Sequence, residues 1–253
     1  MQGPNRGYRK FIVLAHQRSG SSMIIGSLRR HPQVVGFGEL FGRLRIGFNV
    51  EGYEEQKHSE AMLNARNAFP IEFLDNYIFS SYPEDKRAVG FKLFPDQLAG
   101  PHLRCVWEWI GGQRDLAVIF LTRRNLLATY VSLLVAKETG AYGIRQAAER
   151  PSITVSVDLD ECLASFRERE EYNALARERI AGHQVLELAY EELAADPAAH
   201  LVRIQEFLGL DVRPPEITAV RKETRPLSQV IANYEEVRKR LAGTKWAGFL
   251  EER

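Results

Sequence analysis

The sequence predicts an α/β fold, a central parallel sheet with helices on both faces, and three observations lead there. Apolar runs at residues 11–15, 88–94, 116–122 and 185–190, the second and fourth each holding one charged residue, are short enough to be strands and apolar enough to be buried. Segments of helical apolar spacing alternate with them, and that alternation implies right-handed βαβ units. Finally, 253 residues with 45% hydrophobic and 26% charged content match a soluble globular chain, long enough to bury a large core without disulfides or metals.

Taken in order, Phe11-Ile12-Val13-Leu14-Ala15 is the first strand. It runs into His16-Gln17-Arg18-Ser19-Gly20-Ser21-Ser22, a hydroxyl-rich loop, and a helix over residues 23–30 that His31-Pro32 stops. Proline lacks an amide donor and disfavours helix at the residue before it. Residues 55–80 are mainly helical in composition. Residues 88–94 are a second strand, closed by Pro95, and residues 116–122 are the clearest buried strand, leading through Arg123-Arg124-Asn125 into a helix over 126–137. The run at 185–190 precedes an acidic turn and a helix over 197–208 that starts with Pro197, a favoured early-helix residue. No repeat, low-complexity tract or Pro/Gly-rich linker divides the chain. A single domain over 1–253 is expected, with 1–9 flexible and a helical segment, 228–253, packed on it.

Lys+Arg 34 against Asp+Glu 33 leave a net charge of +1, which supplies no global field to draw in nucleic acid or an anionic membrane. An anion site has to be local. Cys105 and Cys162 are too few for a disulfide framework and fit a reducing compartment. No run approaches the ~18–20 apolar residues of a membrane span, and residues 1–10 lack the apolar core of a signal peptide. The chain reads as cytoplasmic, with no integral membrane contact expected.

Ligands of open parallel sheets sit at the carboxyl ends of the strands, which directs attention to residues 16–22. The free amides of a helix's first turn, with about half a positive charge, form an anion site. Gly20 lets the backbone approach closely, Ser21 and Ser22 add hydroxyls, and Arg18 adds a planar cation suited to a tetrahedral oxyanion. The same residues also suit a plain helix cap with a solvated arginine, and the local pattern does not choose. The loop lacks the G-x-x-x-x-G-K-[ST] lysine of a triphosphatase, and residues 118–122 carry no acid to hold Mg²⁺. No metal is expected.

The Arg18-Ser19-Gly20-Ser21-Ser22 loop after an apolar strand, followed by His31-Pro32, resembles the 5′-phosphosulfate loop of sulfotransferases that use 3′-phosphoadenosine 5′-phosphosulfate (PAPS). The stretch Val118-Ile119-Phe120-Leu121-Thr122-Arg123-Arg124-Asn125 through Tyr130-Val131-Ser132 is similar to that family's 3′-phosphate motif, in which an arginine and a serine eight positions later grip the phosphate. Tyr190-Glu191-Glu192-Leu193 and Phe207-Leu208-Gly209-Leu210 also look like the family. The ordered set covers about four fifths of the chain. The resemblance implies a P-loop-NTPase-like sulfotransferase fold, PAPS as co-substrate and 3′,5′-ADP as product. It implies nucleotide contacts from Gln17, Arg18, Ser19, Gly20, Ser21, Ser22, Arg124, Ser132 and Tyr190. Eight helical residues rise about 12 Å, so Arg124 is expected in the strand-to-helix turn, its side chain folding back toward Ser132.

The chemistry agrees with the missing acids. A sulfuryl group is formally neutral as SO₃, so side-chain cations and helix amides suffice to stabilise its transfer. By resemblance Arg18 contacts the 5′-phosphate and the departing bridging oxygen. The acceptor hydroxyl, on a glycan, natural product or peptide tyrosine, has to lose a proton. The small-molecule branch of the family uses a histidine two positions after a lysine, but here Lys92 is followed by Leu93 and Phe94. Carbohydrate and protein-tyrosine branches use a glutamate shortly after the first helix, and Gly38-Glu39 is similar, so Glu39 is the expected base. Lys92 is read either as a stabiliser of the transferred sulfonate oxygens or as a solvated strand-end lysine. His16 and His31 are read as structural, and Lys245-Trp246 as an anchor of the last helix rather than a nucleotide lid. Two alternatives stay open: a divergent P-loop kinase acting on a small molecule with ATP and Mg²⁺, and a non-catalytic nucleotide-binding relative.

Overall fold

The computed structural model describes residues 7–48, 59–140, 152–218 and 225–251. Five strands form one sheet in the order β2-β3-β1-β4-β5, and every neighbouring pair is parallel. They are β1 (Arg9–Ala15), β2 (Val34–Glu39), β3 (Ala88–Leu93), β4 (Ala117–Thr122) and β5 (Gln184–Ala189). Four of them fall on the apolar runs of the sequence. The fifth, β2, does not: Val34-Val35-Gly36-Phe37-Gly38-Glu39 is broken by two glycines, so its apolar content is too diluted to register as a strand. Gly36 lets α1 pack closely, since a Cβ there would lie 3.1 Å from Ile25 Cδ1 and 3.3 Å from Arg29 Cγ.

Alternating side chains send two apolar layers to opposite faces. Ile12, Leu14, Phe37, Phe91, Val118 and Phe120 belong to one buried cluster, closed by α2 (Glu60–Ala68), α3 (Pro70–Phe73) with the π turn that follows it, and α4 (Arg104–Gly112). Phe11, Val13, Ile119 and Leu121 join the other, under α1 (Ser21–Leu28) and, later in the chain, α8 (Pro197–Phe207). Burial of side chains on both faces of β1 and β4 is what makes those runs continuously apolar. A third cluster joins α5 (Leu126–Thr139) and α6 (Leu159–Arg179) to the C-terminal α9 (Leu227–Val230), α10 (Tyr234–Leu241) and Trp246. Of the 141–157 segment, residues 141–151 lie outside the described residues. Val155 bridges to Ile231. Among the described residues no helix is long and apolar enough to cross a membrane.

The order of strands fixes where a ligand can sit. From β1 the chain leaves toward β2, and from its neighbour β4 toward β5. The connections therefore diverge above the carboxyl ends of β1 and β4 and leave a crevice there. Residues 16–20 follow β1 and Arg123-Arg124-Asn125 follow β4, so both stretches border it.

Candidate active site

The loop after β1 is unusual in its backbone. Arg18 has φ 67°, the described chain's non-glycine residue in the left-handed region, and Gly20 has φ 93°. A side-chain-bearing residue there costs roughly 1–2 kcal/mol, and such strain concentrates at functional loops held by their surroundings. Arg18 is held at both ends. Its Nε donates to Ser132 Oγ at 3.0 Å, and its carbonyl accepts from Arg123 Nη1 at 2.9 Å. Ser19 is buried, its hydroxyl donating to the His16 carbonyl at 2.5 Å. Gly20 is the N-cap of α1, which carries no acid in its first turn and no side-chain cap. The positive end of the helix is left for another anion. Ser22 is exposed and Ser21 buried.

Tyr190 roofs this loop from the start of α7 (Tyr190–Ala195). A Cβ on Gly20 would lie 2.9 Å from its Cδ2, and the Arg123 guanidinium sits 4.3 Å from its ring centre, so the ring cannot swing away freely. Gly20→Ala therefore meets both an unfavourable φ and a blocked position. We expect a loss of about 1–3 kcal/mol, read as a lower Tm, with partial recovery when Tyr190→Leu is added; an unchanged Tm would contradict the close approach.

Arg124 stands in the strand-to-helix turn. Its guanidinium is exposed and paired with Glu192, while the backbone N–H groups of Arg124 and Asn125 donate to Glu191. Asn125 caps α5, accepting from the Ala128 N–H at 2.8 Å. The hydroxyl of Ser132 meets Arg18, not Arg124. Arg123, which sequence reasoning passed over in favour of its neighbour, supplies the guanidinium that ties the two loops together.

Glu39 ends β2 and Lys92 stands near the end of β3. A register shift between Phe37 and Glu39 pairs Glu39 with Lys92 across the strands. Lys92 is buried, and its Nζ lies 2.9 Å from Glu39 Oε1 and donates to Ser22 Oγ at 3.1 Å. Burial lowers its pKa, the Glu39 carboxylate opposes that, and the charges of Arg29 and Arg45 add to the lowering. The reading of Lys92 as a merely solvated lysine is thus set aside, because its ammonium is buried and holds Glu39 and Ser22 with one donor to spare. The other Glu39 oxygen accepts from Gln97 Nε2 at 3.1 Å. Glu39, Lys92, Ser22 and the Arg18 loop form one continuous edge of polar groups above the sheet. The segment that follows β2 is pinned by Arg66, which is buried and donates to the carbonyls of Leu40 at 2.6 Å and Gly42 at 3.0 Å.

Behind the loop lies a second polar group that no sequence signal announced. His16 Nε2 is 3.1 Å from Asn173 Oδ1. Burial, with the Arg169 charge, holds its pKa down to about 4 against that hydrogen bond, so the imidazole is neutral at pH 7. Arg169 donates to the Gln17 carbonyl at 3.4 Å, and its pKa is lowered by burial and raised by Asp96 and Glu168. His31 is structural as expected: Nδ1 accepts from the Gln33 N–H at 3.2 Å, so Nε2 carries the proton donated to the Asp211 carbonyl at 2.8 Å. Lys245 and Trp246 both bind Glu170, and Trp246 stacks edge-on against Phe166 at 5.5 Å.

Comparison with known proteins bears on this geometry. Residues 115–214, from β4 to beyond α8, match the Sulfotransferase family. Nodulation protein H of Rhizobium tropici is 28% identical over 259 residues, covering 95% of this chain and 92% of that protein. Nodulation protein H of Rhizobium meliloti is 26% identical over 251 residues, covering 96% and 95%. Among solved structures, a sulfotransferase from Alicyclobacillus acidocaldarius aligns with a TM-score of 0.46, 17% identity and 95% of each chain. The mouse sulfotransferase SULT7A1 complexed with PAP aligns with a TM-score of 0.45 and 16% identity, over 81% of this chain and 60% of that one. The family match covers the strand, turn and helix that carry Arg123, Arg124 and Ser132, and the likeness to the nodulation proteins extends over nearly the whole sequence, so the chain is similar to sulfotransferases from end to end.

Proposed function

We propose that this enzyme moves the sulfuryl group of PAPS to an acceptor hydroxyl, on a carbohydrate or natural product, by in-line attack. The observation that carries the reading is the run of contacts Glu39–Lys92–Ser22, which sets a carboxylate one lysine away from the anion-suited loop. In the reaction the acceptor oxygen forms a bond to sulfur as its proton passes to Glu39. The bond from sulfur to the bridging oxygen breaks, and its electron pair leaves on the 5′-phosphate of 3′,5′-ADP. Arg18 offsets the charge that develops on that oxygen, and Lys92 faces the sulfonate oxygens.

The donor set suits such a co-substrate. The uncapped N-terminus of α1, the strained Arg18 and the bare Gly20 favour a compact, doubly charged group. Arg124 and Ser132 take the 3′-phosphate in this reading. Arg124 then exchanges Glu192 for phosphate, which is cheap because an exposed ion pair is worth at most about 1 kcal/mol. Tyr190 closes the loop from above, and Gln17, Ser19 and Ser21 shape its backbone.

Incubation with PAPS labelled in the sulfonate, a panel of hydroxyl acceptors and excess EDTA tests the proposal. We expect label transfer undiminished by EDTA, competition by 3′,5′-ADP, and poor use of adenosine 5′-phosphosulfate. Transfer of phosphate from ATP that EDTA abolishes would point instead to a kinase. Tight 3′,5′-ADP binding without turnover on any acceptor would point to a non-catalytic binder.

A further inference from the structure

We infer that Gln97 is a positioning residue for the Glu39 carboxylate, an inference that rests on Glu39 being the base. Gln97 lies in the 3₁₀ turn Pro95–Leu98 that directly follows β3. The turn is fixed by its own bonds and by burial: Gln97 N–H donates to the Phe94 carbonyl at 3.0 Å, and Phe94, Pro95 and Leu98 are buried.

The side chain is bound at both ends. Its Oε1 accepts from the Phe94 N–H at 3.3 Å, and its Nε2 donates to Glu39 Oε2 at 3.1 Å. The amide orientation follows from chemistry. A backbone N–H can only donate, so the amide oxygen faces Phe94 and the NH₂ group has to face Glu39. With Lys92 on Oε1 at 2.9 Å, each carboxylate oxygen has one fixed donor and a second lone pair still free. A carboxylate with both oxygens fixed has little rotational freedom left to lose when an acceptor arrives, which is what orientation contributes to a rate.

The residue type matters as much as the contact. The groups that face Glu39 are Lys92 from β3 and Asp96 from the same turn as Gln97, with Arg29 just past the end of α1 and Arg45 of the segment after β2 acting on Lys92. Asp96 is pushed up by burial and by the Glu39 and Glu168 charges, and pulled down by Arg169. Between two carboxylates a neutral donor is needed. A glutamate at position 97 would keep the acceptor for Phe94 N–H but turn a like charge toward Glu39.

The test uses Gln97→Leu and Gln97→Glu in the intact enzyme, with Glu39→Gln alongside. In Gln97→Leu we expect kcat to fall about ten-fold, the scale of one lost hydrogen bond to a charged group, with KM for PAPS and affinity for 3′,5′-ADP unchanged. The acid limb of kcat/KM against pH should move to higher pH, because the ionised carboxylate has lost a donor, and further still in Gln97→Glu. A purely structural role would lower Tm while leaving the acid limb in place, and that result in both variants overturns the inference. If Gln97→Leu fails to fold, Gln97→Glu, which keeps the bond to Phe94, decides it. The two readings separate cleanly. Turnover surviving in Glu39→Gln removes the base and Gln97's role with it, whereas its loss together with unaltered Gln97 variants removes only the role of Gln97.

Discussion

Arg18→Ala is expected to lower turnover by roughly 10²–10³-fold, the loss seen when one donor to a developing oxyanion is removed. The guanidinium does two things in the structure. It sits on the loop before α1, where the leaving phosphate oxygen would gather charge, and it binds Ser132 through Nε. The second contact makes lysine a poor substitute, since Arg18→Lys has no Nε to donate and its ammonium is a point charge without a planar fork. Both variants should lose most activity, Arg18→Lys somewhat less. Stability should follow the opposite order from catalysis in a third variant. Arg18→Gly removes the side chain but suits φ 67°, so its Tm should match or exceed that of Arg18→Ala while its turnover is equally poor. Stopped-assay kcat with PAPS and thermal denaturation of the three proteins settle the matter; near-normal turnover in Arg18→Ala would remove it from the chemistry.

Glu39→Gln should cost about 10²–10⁴-fold in turnover, the range for loss of a general base, while 3′,5′-ADP binding persists. It also leaves Lys92 buried without its counter-charge. Breaking a buried pair by neutralising one partner costs several kcal/mol when the other stays charged, but Glu39 is one-third exposed, so the effect is reduced by solvent. Lys92 is already lowered by burial with Glu39 opposing, and removing that opposition lowers it further. The variant should therefore be less stable near neutral pH and recover part of the difference as pH rises and Lys92 sheds its proton. Titration calorimetry with 3′,5′-ADP separates lost chemistry from lost fold. Unreduced turnover in a folded Glu39→Gln would transfer the role of base to another group.

Much of this was readable from residues alone. β1 and β4 are legible because burial on both faces forces uninterrupted apolar runs, β3 and the edge strand β5 because their runs are broken by only one charge each, Lys92 and Glu187, and α5 and α8 by apolar spacing and an early proline. The fold class follows from that alternation, and the loop at residues 16–22 follows from its place between a strand and a helix. β2 was hidden, since Gly36 and Gly38 erase the signal that its burial would otherwise give. α6 was hidden for the opposite reason: its 21 residues are so polar that no apolar stripe stands out, although it carries Arg169 and Asn173 to the back of the loop. Gln97 and Arg123 act through contacts with residues far away in sequence, and a polar residue beyond Phe94-Pro95 has no pattern to distinguish it. Sequence favoured Arg124 over Arg123 by motif. The structure gives each a separate partner, Glu192 for one and the Arg18 carbonyl with the Tyr190 ring for the other.

The irregularity at Gly38 makes the pairing of Glu39 with Lys92 depend on counting. Side chains along a strand alternate between faces, and an extra residue in one strand shifts every later side chain relative to its neighbour. Phe37 lies beside Phe91, and only because one residue is spent between them does the next partner of Lys92 carry a carboxylate. Were β2 regular beyond Phe37, Gly38 would face Lys92 and the carboxylate would fall one place further on, so the single extra residue is what sets acid against ammonium.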